Sequence, residues 1–557
     1  EALRNDSSNI KNAPLISVVL PVYNVPERFL IQAIESVRCQ VYVNWELCIA
    51  DDASTLPHVK RVIEQYVKND PRIKAVFRPK NGHISEASNS ALEIASGEFT
   101  SFLDHDDELA PHALYCIAKQ ISDHPAVEII YSDEDKIDEN GCRFAPHFKP
   151  DWNPDLLTSQ NYFCHLTTYR THTLRLVGGL RTGFEGSQDW DLALRITERI
   201  KPDQIIHIPR VLYHWRAIEG STAALLSSKS YTNQAASKAI EEHFSRKAEA
   251  VKLSMIIGGH WRVHRRLSTP APLVTLIIPT RNRRDLLVRC VESIIDKTAY
   301  RNFEFLIADN ESTDPKLKAY YKKAGKRQRF VVLPCPGPFN FSAINNRAVE
   351  QAHGEIIGLL NNDLEAINPD WLDEMVGHAM RPDIGVVGAK LYYPDMTVQH
   401  AGVITGIGGV AGHAFKHSAR RDQGTPQNRA HVTHNVSAVT AACAVLRKSV
   451  YLEAGGFDEN NLKVAFNDVD FCLRVQDLGY RNLFTPFAEF IHHESASRGA
   501  EDSPEKVARF QTEVAFMKQR WGERLLNDPA YNPNLSLETE DFAYACPPRV
   551  EMLPRAT

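Results

Sequence analysis

The sequence predicts an α/β protein of two tandem domains, each built on a mostly parallel, Rossmann-like sheet. Three observations carry that prediction. The chain has 557 residues, more than one hydrophobic core normally supports. It also repeats itself: ISVVLPVYN at 16–24 is answered by VTLIIPTRN at 274–282, and WELCIADDAS at 45–54 by FEFLIADNES at 303–312, both at an offset of 258. ASNSALEIASGE (87–98) and FLDHDDELAP (102–111) are answered by INNRAVEQAHGE (344–355) and LLNNDLEAIN (359–368) at an offset of 257, and GSQDWDLALR (186–195) by AFNDVDFCLR (465–474) at 279. In each copy, finally, apolar strand-like runs alternate with helical spacing, the pattern of a doubly wound sheet.

Each copy opens with a β-branched run ending in Pro and Asn, read as a buried strand meeting a turn. Amphipathic helices follow at 29–37 and 286–295, then a second apolar run that ends in Asp51 and Asp52, or in Asp309 and Asn310. A further helix leads to a short strand ending in Asp104-His105-Asp106, or in Asn361-Asn362-Asp363. Ligands of such sheets bind beyond the carboxyl ends of the strands, where Asn24, Asp51, Asp52, Asp104 and Asp106 all gather. One site per copy is expected. The domains are expected at 14–222 and 273–498. Residues 223–272 lack the repeat and read as a helix (231–245) and a connection; residues 499–557 read as a tail, packed on the second domain or partly disordered.

Composition narrows the class. Hydrophobic content of 43% and charged content of 24% are those of an ordinary globular protein. A net charge of -5 gives no reason to expect nucleic acid as a partner, while a phosphate-bearing ligand held through a cation stays compatible. The ten cysteines show no CxxC pair; Cys39, Cys48, Cys290, Cys443 and Cys472 read as small buried hydrophobes, and a reducing, cytoplasmic compartment fits. No apolar run reaches the roughly 18–20 residues of a membrane span, and no signal-peptide pattern is visible. The sequence opens on Glu1 without methionine, which leaves room for residues ahead of it, and peripheral contact with a membrane stays compatible.

With the runs YSDEDKID (131–138), FKPDW (148–152), LYHWR (212–216) and HNVSAVTAAC (434–443) added to those above, the sequence resembles the inverting GT-A glycosyltransferases of family 2. In particular it is similar to tandem-domain transferases of bacterial O-antigen and capsule assembly. The resemblance covers most of 14–222 and 272–498. It implies that Asp104 and Asp106 hold Mn²⁺ or Mg²⁺, as Asn361 and Asp363 do in the second copy, and that the ion bridges the diphosphate of a nucleotide sugar. His214 and His493, each 25 residues after Asp189 and Asp468, fit the late histidine that completes the metal shell, with His492 as the competing choice. Asp189 and Asp468 match the family's catalytic base, although Gln188 and Asn467 stand where the family usually has Glu; helix N-capping accounts for the same two residues.

Pro21, Tyr23, Asn24, Asp51 and Asp52, with Pro279, Arg281, Asn282, Asp309 and Asn310, are expected around the base and ribose. Asx turns explain the same Asp and Asn residues, and both can hold together. Trp190 and Trp215 read as acceptor-stacking or core residues, and His413, after the glycine-rich stretch 402–412, as an acceptor contact on a mobile loop over the second site. The implied activity is metal-dependent, inverting and bifunctional, from UDP- or dTDP-linked donors to an oligosaccharide or lipid-linked saccharide of a growing surface polysaccharide. The alternative keeps one half catalytic and makes the other a non-catalytic carbohydrate- or nucleotide-binding module. A nucleotidyltransferase would open with a glycine-rich turn, which PVYNVPER and PTRNRRDL lack. A glycosidase would need two carboxylates flanking the sugar and no diphosphate site.

Overall fold

A computed structural model describes residues 2–11, 13–217, 230–326, 329–420, 426–493 and 503–553. The strand Ile16–Val22 is buried at every position, because it lies inside the sheet with parallel neighbours on both sides. Its register runs from Ile16 opposite Trp45 to Val22 opposite Asp51, and Ile16 to Val19 pair with Phe99 to Phe102. Across this nine-stranded sheet the order is Ile73–Phe77, Trp45–Asp51, Ile16–Val22, Phe99–Phe102, Thr167–Arg170, Ile129–Ile137, Ile205–Arg216, Glu108–Leu109, with Arg143–His147 off the path.

The second half lays down the same order: Phe330–Pro334, Phe303–Asp309, Val274–Thr280, Ile356–Leu360, Cys443–Arg447, Ile384–Tyr392, Arg481–His492, Leu364–Ala366. Helices cover these sheets through apolar stripes at three- and four-residue spacing. Glu27–Arg38, for example, buries Phe29, Leu30, Ala33, Ile34 and Val37.

A polar clamp ties three parallel strands together at the end remote from the site. Glu46 accepts hydrogen bonds from Ser17 Oγ at 2.6 Å, Gly97 N at 3.1 Å and Lys74 Nζ at 2.6 Å. Burial alone would raise this carboxyl, but its partners Lys74, Ser17 and Ser96 outweigh burial and hold it at about 2. The second half repeats the clamp with Thr275 on Glu304 at 2.6 Å. Gly97 and Gly354 sit where a Cβ would lie 2.7 Å from the backbone oxygens of Leu15 and Leu273, so the strand can begin there only with glycine.

Between the halves, helix Ser230–Arg246 is followed by a hairpin, Val251–Met255 with Trp261–Arg265, where the sequence suggested only a connection. Residues 402–412 differ more from expectation. Val403–Thr405 pairs with Ala411–His413, Gly408 N donates to Leu537 O at 3.2 Å, and a Cβ on Gly406 would meet Leu525 O at 2.6 Å. The glycines serve close packing under the C-terminal segment, so a packed hairpin replaces the expected mobile loop.

That C-terminal segment joins both halves. Asp528, buried, accepts from Thr405 N at 2.8 Å and Ser437 Oγ at 2.7 Å in the second half. Four residues on, Asn532 Nδ2 donates to both Asp133 oxygens at 3.0 Å and to Lys149 O at 2.8 Å in the first. The halves also meet directly: Asn153 and Asn435 exchange hydrogen bonds at 2.8 and 2.9 Å, and Asp155 pairs with Arg381. Cys48, Cys290, Cys443 and Cys472 are buried, whereas Cys39, just past a helix end, is exposed. Among the described residues no helix is long and apolar enough to cross a membrane.

Candidate active sites

Each sheet carries a cleft at the carboxyl ends of its central parallel strands. The first, about 1660 Å³, is lined by Pro21, Tyr23, Asp52, Asp104, Asp106, His165, Asp189 and Trp215 among others, and is completed by Gly258–His260 of the hairpin and Asn428 of the second half. The second, about 540 Å³, is lined by Pro279, Arg281, Asn310, Asn361, Asp363, His413, Asp468 and His492 among others. Strand-end and helix-start carboxylates, far apart in sequence, thus share one wall in each half.

The strand-end acids of the first cleft are closely set. Burial raises the Asp104 carboxyl above its ordinary range; His165 opposes, and Asp106 and Asp189 push it further up. Asp107, beside them, is held well above that range by burial and by the charges of Asp106 and Asp104. Its carboxylate accepts from Tyr213 Oη at 2.6 Å and Arg216 N at 2.7 Å. The ligand atoms of Asp104, Asp107 and His165 lie within 4.8 Å of one another. This oxygen-rich set with one imidazole fits a hard divalent cation. Asp106, the expected second ligand, lines the same cleft, but Asp107 belongs to the tighter group.

His214 does not join the acids. Its Nδ1 lies 2.6 Å from Asp135 Oδ1. Strand register explains why. Glu108 pairs with His214, whereas in the second half Leu364 pairs with His492 and Glu365 with Ile491. Since Glu108 and Glu365 are counterparts at the 257-residue offset, His214 matches Ile491 and Trp215 matches His492. The shared 25-residue spacing was a coincidence of loop length. In the second cleft His492 Nε2 lies 3.2 Å from Asp363 Oδ1, while His493 lies 3.6 Å from Glu365 and 3.2 Å from an Arg289 nitrogen. The competing choice, His492, is the one beside the acid. In the first half the imidazole beside the acids is His165, in the loop ahead of strand Thr167–Arg170, stacked on Tyr213 at 4.5 Å and edge-on to Trp215 at 5.7 Å.

His165 is positioned by residues whose purpose the sequence did not disclose. Lys149, fully buried, donates to Phe163 O at 2.7 Å and pairs with Glu134 at 3.2 Å. Glu134 in turn accepts from His165 N at 3.0 Å. Burial would raise Glu134, but Lys149 and His147 outweigh it and hold the carboxyl well below the usual range. YSDEDKID and FKPDW therefore meet as a buried ion pair that fixes the loop carrying His165. Their only signal was a charge in each run, Glu134 inside strand Ile129–Ile137 and Lys149 just past strand Arg143–His147.

Asp189 and Asp468 stand in the first turn of helices Gln188–Thr197 and Asn467–Asp477. Asn161 Nδ2 donates to Asp189 Oδ2 at 2.7 Å, and Ala441 N to Asp468 Oδ2 at 3.1 Å. Two residues on, Asp191 and Asp470 turn away from the clefts into buried pairs with Arg195 and Arg474, each at 2.8 Å. Those arginines reach the Gly179 and Gly456 carbonyls at 2.7 and 2.6 Å, locking each helix against the preceding loop.

The residues expected around the nucleotide divide. Pro21, Tyr23, Asp52, Pro279, Arg281 and Asn310 line the clefts. Asn24, Asp51, Asn282 and Asp309 do not line them. Asn24 Oδ1 accepts from Thr55 N at 2.8 Å and Asn282 Oδ1 from Thr313 N at 2.6 Å, while Asp51 and Asp309 accept from Ser54 N and Ser312 N. Asp51 and Asp309 thus close local Asx-type turns, while Asn24 and Asn282 tie the turn after the first strand to the loop after the second. Asp52 is held by Arg78 at 2.8 Å and Gly82 N at 2.9 Å, whereas Asn310 Oδ1, buried at the cleft wall, has no partner among the described residues. Trp190 is largely core, 6% exposed with its indole N–H donating to Leu157 O at 2.7 Å, and its remaining edge lines the first cleft. Trp215 lines the first cleft and His413 the second, where His413 Nδ1 lies 2.8 Å from His400 Nδ1.

Two sheets of one topology, each with acids converging at its strand ends, define a tandem protein of the GT-A glycosyltransferase class. The chain belongs to glycosyl transferase family 2, which residues 17–177 and 275–454 match. It is 50% identical to y4gI of Sinorhizobium fredii, over 97% of this chain and 59% of that one. It is 40% identical to the O-antigen biosynthesis protein RfbC of Myxococcus xanthus, over 96% of this chain and 41% of that one. The chain thus spans about half the length of these relatives. Among solved structures, a mannosyltransferase of Pyrobaculum calidifontis in complex with GDP-Man and Mn²⁺ is 17% identical, covering 44% of this chain and 64% of that one at a TM-score of 0.33.

Proposed function

We propose that each half is an inverting sugar transferase that takes a nucleotide-sugar donor, UDP- or dTDP-linked, and extends an oligosaccharide or lipid-linked acceptor of a surface polysaccharide. The observation that carries this reading is the pairing, in each cleft, of strand-end acids with a helix-start carboxylate, Asp104 and Asp106 with Asp189, and Asp363 with Asp468. The kinship with an O-antigen biosynthesis protein supports the polysaccharide. The working units are 14–222 and 273–498, linked by 223–272 and fastened by 499–557. They act in the cytoplasm, at the inner membrane face where a lipid-linked acceptor would be met.

Asp104, Asp106, Asp107 and His165 in the first cleft, and Asn361, Asp363 and His492 in the second, would hold Mn²⁺ or Mg²⁺. Once bound, the ion neutralises the departing diphosphate. Asp189 or Asp468 takes the proton of the acceptor hydroxyl while its oxygen attacks the anomeric carbon from the face opposite the diphosphate. The Asp191–Arg195 and Asp470–Arg474 pairs keep that base in place by fixing its helix. Asn161 orients the Asp189 carboxylate, and Asn310 offers its free oxygen to the base or ribose.

The test is a panel of nucleotide sugars with released nucleoside diphosphate and product linkage as readouts, on wild type, Asp189→Asn and Asp468→Asn. Loss of a different linkage in each variant is expected. Undiminished transfer in both would sink the proposal; a silent Asp468→Asn alone would leave the second half, whose strand end carries Asn361 for Asp104, as a binding module.

A further inference from the structure

The two clefts differ in electrical character. The first includes the carboxylates of Asp104, Asp106 and Asp189, none of them ion-paired with lysine or arginine among the described residues, and its one lysine or arginine there is Lys136. Among the described residues the second is lined by two carboxylates, Asp363 and Asp468, and by Arg281, Lys416, Lys506 and Arg509. The strand end has also lost a charge, Asn361 standing where the first half has Asp104.

The cations reach the second cleft from three separate elements. Arg281 follows strand Val274–Thr280, and Lys416 follows strand Ala411–His413. Lys506 and Arg509 come from the first turns of helix Pro504–Trp521, whose N-terminus is capped by Ser503. Their three-residue spacing puts both on one face, and the positive end of the helix macrodipole adds to them. The helix is anchored beside Asp468: Glu513, 2% exposed, accepts from Val464 N at 2.8 Å and Ala465 N at 3.2 Å, and its carboxylate, 3.5 Å from Arg509 Nε, holds that arginine at the cleft. In the first half the helix that follows the corresponding strand, Ser230–Arg246, brings neutral Thr232, Asn233 and Ala236 to its cleft instead. Asn233 and Ala236 keep the same three-residue spacing, so the exchange is of charge and not of architecture.

Building on the donor reading above, we propose that the second cleft neutralises the donor diphosphate chiefly with Lys416, Lys506, Arg509 and Arg281, and so binds a nucleoside diphosphate without divalent metal. Among the described residues the first cleft has only Lys136 to set against its acids, and it depends on the ion. Charge-assisted contacts to phosphate oxygens from arginine and lysine substitute for the part of the ion's role that concerns binding.

Calorimetric titration of the full chain tests this, with UDP, GDP, dTDP and, as a base-independent probe, inorganic pyrophosphate. In EDTA one equivalent is expected to bind, insensitive to Asp104→Asn and weakened tenfold or more by Lys506→Ala with Arg509→Ala. Arg281→Ala, on an exposed turn, gives a second variant that leaves the helix intact and is expected to weaken the same equivalent. Added Mn²⁺ restores a second equivalent, which Asp104→Asn removes. If both equivalents require Mn²⁺, or if the cation variants bind as wild type does, this inference falls while the donor reading stands. If nothing binds even with Mn²⁺, the donor reading falls and takes this inference with it.

Discussion

Asp155 of the first half and Arg381 of the second form a buried ion pair across the junction, and Arg481 lies 3.5 Å from the same carboxylate. Burial would raise Asp155, yet the two arginines outweigh it and hold the carboxyl far below its ordinary range. Asp155→Ala leaves Arg381 with Asp383 alone, at 3.1 Å, so a loss of about 3 kcal/mol, the low end for a broken buried pair, is expected from urea unfolding. Because the folded value is depressed, this stabilisation is whole above the ordinary carboxylate range and fades as pH falls below it. An interface equally stable in wild type and variant at pH 7 would contradict the pairing.

Glu46 gives a second acid-sensitive point, inside the first half. With its carboxyl at about 2 against an ordinary 4.5, its contribution is complete above pH 4.5 and vanishes as pH drops toward 2. Glu46→Gln is expected to cost roughly 1.5–3 kcal/mol at pH 7, the scale of hydrogen bonds to a charged group. The melting-temperature gap between wild type and variant should close on acidification. A gap independent of pH would mean that charge is not what the clamp uses.

Gly97→Ala tests the same corner sterically. The new Cβ would sit 2.7 Å from Leu15 O and Ser17 N, backbone atoms that cannot swing aside. A cost of about 1–3 kcal/mol is expected from forced backbone shift. Gly141→Ala supplies the contrast, since a Cβ there meets nothing within 4 Å and only the left-handed φ of 83° is taxed. Equal melting temperatures for Gly97→Ala and wild type would refute the close approach.

His165 and His214 separate by their effect on metal. Mn²⁺ titration followed by electron paramagnetic resonance should show His165→Ala weakening the first-cleft ion roughly 10- to 100-fold, the range reached even by outer-shell losses. His214→Ala should alter it far less, because that ring pairs with Asp135. The reverse ranking would restore the histidine that sequence spacing favours.

Much of this site was legible in the sequence. The repeat fixed the order of elements, and strand-end logic brought Asp104, Asp106, Asp189, Asp363 and Asp468 to the clefts because those positions depend on local pattern alone. The late histidines were misassigned because a one-residue change in strand register moves a side chain to the other face, and no spacing rule sees the bulges between Ser132 and Glu134 that set it. Asn24 and Asn282 were ambiguous for a different reason: a turn former and a ligand contact are the same residue type. Lys149 and Glu134 escaped altogether, as neither charge has meaning until the other is brought against it.

Residues 528–549 bear on how the protein comes to exist. Asp528 completes hydrogen bonds for Thr405 and Ser437, Asn532 for Asp133, and Arg549 closes the loop by donating to Leu526 O and Leu535 O. On the ribosome these residues emerge after every strand of both sheets. Domains ordinarily fold in the sequence of their synthesis, yet here the early half waits with the Asp133 carboxylate short of Asn532 until the closing segment arrives. Completion of the first half is thereby tied to translation of the second.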